Sequence, residues 1–295
     1  MHVVTVYDLT LAALASEPAF SAVEKAAVAR CLAQLQVDVI EIGSPTTSAV
    51  DLAAARLICR EVSGPTIAAR CELEQEQIGR TCEAMSGHPQ AIIQLVLRSD
   101  PMFYQYQPTL LQQEMLERVA SGVAFARSHG VTVQLTVDNA PRLEGRFLAH
   151  LLEAAVAAGA GGVVLADSAG GALAAEMEHL VRAARSATVS HGATVGVFCS
   201  NENGMAVANT LAAVHAGATQ VAASLSGRGP VAEGPYLDRL LPGLRRWCRS
   251  HTALTPQAVT TASRQVATLV AQAVARGQVE RQAAAGRQPD AGRQE

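Results

Sequence analysis

Residues 194–224, TVGVFCSNENGMAVANTLAAVHAGATQVAAS, contain one complete repeat of the fold. A short apolar run rich in β-branched residues (194–198) predicts a strand. A polar break leads into the Ala/Val/Leu stretch 204–216, which predicts a helix, and 220–224 predicts the next strand. Strands this apolar, separated by a helix and short connections, belong in a parallel sheet buried on both faces.

The same alternation extends in both directions. Toward the N-terminus the expected strands are 3–7, 39–42, 66–69, 91–96, 132–135 and 162–166, and the expected helices 21–34, 48–61, 72–86, 108–129, 142–158 and 173–186. A last helix is expected at 236–248. Ser21 stands three residues before Glu24, the spacing of a capping box, and Gly130 follows the helix 108–129 as a C-cap. Eight strand–helix units over roughly 250 residues fit a closed (β/α)8 TIM barrel. A doubly wound open sheet is the structural alternative. Beyond residue 250 the composition changes. Residues 251–275 are expected to add one helix, and 276–295, polar and rich in Ala, Gly, Gln and Arg, to form a disordered tail.

Composition narrows the functional classes. Of the 295 residues 49% are hydrophobic and 3% aromatic, so the core must be built from Ala, Val and Leu. A formal charge of −3 with so few aromatics gives neither the basic footprint nor the stacking platforms of a nucleic-acid binder. The six cysteines lack a CxxC spacing and read as reduced, mostly buried small hydrophobes. With no signal-peptide pattern and no run long enough to span a bilayer, the expectation is a cytoplasmic protein without membrane contact.

In a (β/α)8 barrel the strands' C-terminal ends carry the site. Here they end with Asp8 and Thr10, Glu41, Arg70, Arg98, Asp138 and Asn139, Asp167 and Ser168, and Cys199 through Asn203. Asp8, Thr10, Asp138 and Asp167 are the candidate catalytic groups. Glu41, Arg70, Asn201, Gly227 and Gly229 are the candidate substrate-binding groups. Competing readings make Asp8 and Asp167 turn or helix caps, Arg70 and Arg142 surface ion-pair partners, and Cys199 a buried small residue. The loop GRGP (227–230) could cradle a phosphate, and Phe103, Tyr104 and Tyr106 form an aromatic cluster at the expected rim.

These pieces resemble the homocitrate synthase, 2-isopropylmalate synthase and hydroxymethylglutaryl-CoA lyase family, a group of pyruvate carboxyltransferase-like TIM barrels. NENGMAVANTLAAVHAGATQV (201–221) is similar to the family's HxHNDxGxAxANxxAAxxAGAxxV run. DLTL (8–11), VDVIEIGSP (37–45), DNAPR (138–142), AGAGGVVLADSAG (158–170) and GRGP follow in the family's order. The resemblance implies an acyltransferase that joins acetyl-CoA to a 2-oxoacid in a Claisen condensation, using one divalent metal, and implies dimers.

Residue by residue, the resemblance also implies losses. The family's first-strand Arg-Asp falls on Ala12 and Ala13, its two metal-binding His on Phe198 and Ser200, and its last Asn on Gly234. Methyl, phenyl and hydrogen side chains have no lone pair for a cation. The expectation is therefore a divergent member with a degraded metal site and no metal cofactor. It would act as a ligand-binding or partner paralogue, a homodimer or a heteromer with an intact relative, taking a small carboxylate. The alternative is an acyltransferase with a rebuilt site that uses Asp138, Asp167, Ser200 and Asn201.

Overall fold

The computed structural model describes residues 2–15, 20–98, 109–225, 234–248 and 250–285. Its centre is a closed barrel of eight parallel strands: β1 (Thr5–Asp8), β2 (Val39–Glu41), β3 (Thr66–Glu72), β4 (Ala91–Leu97), β5 (Thr132–Val137), β6 (Gly162–Asp167), β7 (Thr194–Cys199) and β8 (Gln220–Ala223). Each strand pairs with its sequence neighbour. The seam closes where β1 meets β8, with Thr5 opposite Gln220 and Asp8 opposite Ala223. The TIM barrel thus stands and the open-sheet alternative falls.

Helices cover the barrel: α1 (Thr10–Ala15), α2 (Ala22–Leu35), α3 (Ala49–Glu61), α4 (Gln75–Met85), α5 (Thr109–Ser128), α6 (Gly145–Ala157), α7 (Ala174–Thr188), α8 (Ala206–His215) and α9 (Leu237–Arg246). Their starts follow local chemistry. Ser21 and Glu24 form the expected reciprocal cap on α2, and the Ser48 hydroxyl accepts the Asp51 amide on α3. Both carboxylate oxygens of Glu144 accept amides at the start of α6. Outward residues of the strands, among them Val6, Ile40, Ile67, Ile93, Leu95, Leu135, Val163 and Val197, are almost wholly buried beneath the helices. Between α2 and α3 lies a buried ion pair, Lys25 to Asp51 at 2.5 Å.

Several expectations are corrected. Val3 belongs to a separate two-residue strand, His2–Val3, paired in parallel with Ser250–His251 beside the barrel. Strand β3 continues to Glu72, because Cys71 and Glu72 still pair with Leu95 and Val96, so α4 starts later than expected. A 3-10 turn, Ala140–Arg142, precedes α6. The final helix, α10 (Pro256–Ala285), continues well into the segment expected to be without order. Its apolar face packs on α2 and α9, and Arg276 pairs with Glu24 of α2 at 2.7 Å. Residues 286–295 lie outside the described residues.

Candidate functional site

Successive strand residues point to opposite faces, so β5 turns Gln134 and Thr136 inward at rising heights, with Asp138 just past its end, and β4 does the same with Gln94 and Val96, with Arg98 just past its end. The floor is polar. The Tyr7 hydroxyl donates to Gln134 Oε1 at 2.8 Å, and Gln134 Nε2 donates to Gln220 Oε1 at 3.0 Å. Burial, reinforced by the charge of Glu41, pushes the Tyr7 hydroxyl far above its ordinary value against the opposing Gln134 bond, so it stays a neutral donor. Space for these amides comes from two strand glycines. A Cβ on Gly196 would stand 3.0 Å from Gln220 Cδ, and one on Gly162 would be 3.1 Å from Gln134 Nε2.

Above the floor opens a cavity of about 310 Å³ at the strands' carboxyl ends. Its wall is divided by strand. On the β2–β5 side stand Glu41, Arg70, Gln94, Val96, Arg98, Thr136 and Asp138, all polar but Val96; on the β6–β1 side stand Val164, Ala166, Phe198, Ala222 and Leu9, with Ser168, Ser200 and Glu202 at the rim. A second hollow of about 200 Å³ shares Arg70, Val96 and Arg98 with the first, and Ala12 lines its other side.

The structure places the expected residues in two groups. Glu41, Arg70 and Asp138 line the cavity. The buried Glu41 carboxylate pairs with Arg70 Nε at 2.5 Å. Asp138 accepts the Asn139 amide at 3.1 Å and a short bond from the Ser168 hydroxyl. Asp8, Thr10, Asp167 and Asn201 are not among the cavity's lining residues; they hold backbone. Asp167 accepts the amides of Gly171 and Ala172 at 3.2 and 3.1 Å, and Asn201 Oδ1 accepts that of Ala206 at 3.4 Å. Fully buried Asp8 accepts the Thr10 amide at 2.9 Å, while the Thr10 hydroxyl accepts the Leu225 amide at 2.8 Å across the seam. Burial raises the Asp8 carboxyl to about 7; the Thr10 bonds oppose the shift and Glu41 adds to it. The turn readings of Asp8 and Asp167 therefore match the geometry. Arg142 is exposed, away from the cavity. Cys199 is fully buried, its thiol pushed up to about 12 by burial, as expected of an inert side chain. Gly227, Gly229, Phe103, Tyr104 and Tyr106 lie outside the described residues.

Sequence reasoning missed Tyr7, Gln94, Gln134, Thr136 and Gln220. Their signal was a polar residue at every second position of otherwise apolar strands, as in VQLTVD (133–138). Asn139 is expected only as a strand-end residue, without a role of its own. That residue adopts φ 48°, and its side-chain oxygen accepts the Ala169 amide at 2.9 Å, tying the β5 loop to the β6 loop. Asn203 Nδ2 reaches Gly170 O at 2.8 Å and ties in the β7 loop.

Fold and cavity place the chain among (β/α)8 barrels whose pocket opens at the carboxyl ends of the strands. The HMGL-like family profile matches residues 14–266, and the chain belongs to that family. It is 36% identical over 222 residues to 2-isopropylmalate synthase of Solidesulfovibrio magneticus, covering 75% of this chain and 43% of the relative. It is 32% identical over 244 residues to the synthase of Pyrococcus furiosus, covering 82% and 49%. The chain thus spans about half the length of the curated relatives it matches. HMG-CoA lyase from Brucella melitensis superimposes with a TM-score of 0.73 at 15% identity, covering 92% of this chain and 100% of the lyase. The carboxyl transferase domain of Rhizobium etli pyruvate carboxylase gives 0.73 at 17%, covering 92% and 48%. These likenesses show the shared fold.

Two further observations bear on a metal. Phe198 lines the cavity so close to the backbone of Gly234 that a Cβ there would be 3.2 Å from Phe198 Cε2. Among the described residues no three His, Cys, Asp or Glu side chains gather closely enough to share an ion. Nor, among them, is any helix long and apolar enough to cross a membrane.

Proposed function

We propose that this barrel is a ligand-binding member of the HMGL-like family that does not carry out metal-dependent carbon–carbon bond formation. The observation that carries the reading is the packing of the Phe198 ring against Gly234, at two positions where the resemblance expects a His and an Asn. Ala13 and Ser200 complete the set, leaving one hydroxyl among the four expected donors. These residues do not fit a divalent metal of the family type. A Lewis acid contributes several kcal/mol to polarising a carbonyl, and hydrocarbon groups cannot replace it. What the cavity retains suits binding: a carboxylate–guanidinium pair, a hydrogen-bonding half-wall and an apolar half-wall. The protein would act as a homodimer or beside an intact family member in the cytoplasm.

Metal analysis of the purified chain, with thermal shifts in Mg²⁺, Mn²⁺ and Zn²⁺, should show no stoichiometric ion and no ligand-linked rise in Tm. Acetyl-CoA with a panel of 2-oxoacids should release no CoA. A bound ion at unit stoichiometry, or CoA release, overturns the reading. A second reading, acyl transfer through a rebuilt site, draws support from Asp138, Ser200 and Glu202 lining the same cavity. It requires that any ion binding be abolished in Asp138→Ala and Ser200→Ala.

A further inference from the structure

We infer that the cavity selects a small carboxylic acid bearing a hydrogen-bond donor, hydroxyl or amino, beside the carboxylate, with an apolar remainder, in preference to a 2-oxoacid. This rests on the binding role proposed above and names the ligand class. Gln94 is about 5% exposed, lines the cavity, and its Oε1 has no hydrogen-bond partner in the protein. Thr136 Oγ1, one strand over and also in the cavity wall, is likewise without one, and its hydroxyl can accept as well as donate. A buried acceptor left unpaired is costly, and a ligand that donates to it recovers that cost.

The charged lining strengthens the preference. Glu41, Asp138 and Glu202 outnumber Arg70 and Arg98 among the charged lining residues, so a ligand carbonyl oxygen would add an acceptor to a surface already rich in them. An O–H or N–H there meets complementary groups. Arg70, at the junction of the two hollows, supplies the cationic counterpart for a carboxylate. Val164, Ala166, Phe198 and Ala222 opposite provide the apolar half.

Three acids differing only in the group at C2 test this: 2-oxobutanoate, 2-hydroxybutanoate and 2-aminobutanoate, titrated calorimetrically into the full chain. The hydroxy or the amino acid should bind about tenfold more tightly than the oxo acid, the effect of one paired buried acceptor. Tighter binding of the amino acid would identify an ammonium source, and of the hydroxy acid an alcohol. Gln94→Met should erase the preference. Thr136→Val, at a partly buried position and nearly isosteric, should reduce it. Equal or tighter binding of 2-oxobutanoate, no heat with any of the three at millimolar concentration, or a preference that survives both substitutions overturns the inference. CoA release in the turnover assay would overturn the non-catalytic reading while leaving this preference intact, so the two can fail separately.

Discussion

Asp8 illustrates how one buried carboxyl couples the fold to pH. Its folded value of about 7 lies above the ordinary 3.8, so the native state holds the proton more tightly than the unfolded chain does. That contribution to stability is complete below about pH 4, declines as pH rises, and is lost once pH passes about 7. Asp8→Asn, which keeps an oxygen for the Thr10 amide, should flatten the decline in Tm between pH 4 and 7 seen in wild type; an unchanged slope would assign the effect to another group. The strand glycines give a second test. Gly196→Ala places a methyl 3.0 Å from Gln220 and 3.2 Å from Val164 Cγ2, and should cost about 1–3 kcal/mol in urea unfolding while displacing the Tyr7–Gln134–Gln220 chain. Legibility at this scale followed chemistry. Glu41, Arg70 and Asp138 stood out because charge at a strand end is conspicuous. Gln94 and Gln220 did not, since a neutral amide inside a strand carries no charge to flag it and shows only in the alternation of polar and apolar positions.

Among the elements, α2 and α10 show how one side chain serves two neighbours. Glu24 caps its own helix through Ser21 and accepts two bonds from Arg276, at 3.1 and 2.7 Å. The Arg276 bond, with help from Ser21 and against a desolvation cost, lowers its carboxyl to about 2. The resulting stability is present above the ordinary carboxyl value and is lost as pH falls toward 2. Glu24→Gln should cost about 1 kcal/mol, since the pair is partly exposed and screened. Amide exchange should quicken in the last turns of α10 while β4 and β5 remain protected; uniform acceleration would contradict a local tie. Strand and helix order was readable because each apolar run has its own period. The length of α10 was not, because residues 276–285 have little apolar surface and are placed by a contact 252 residues away in sequence.

For the molecule as a whole, the seam between β1 and β8 decides whether there is a barrel. Thr10 bridges it, receiving the Leu225 amide and donating to Asp8. Thr10→Val removes both bonds and should cost about 1–3 kcal/mol. Far-UV dichroism and the fluorescence of Trp247, the one tryptophan, should then lose structure at a common, lowered midpoint; separate midpoints would mean that the seam and the remaining strands open independently. The partners joined by that bridge are 215 residues apart. At about 5–20 residues per second a ribosome needs roughly 10–40 s to pass from one to the other. For that interval the first strand of a nascent chain carries a bare edge with no sibling to receive it, so this protein's exposure to chaperones and to misassembly is set during translation, before its pocket exists.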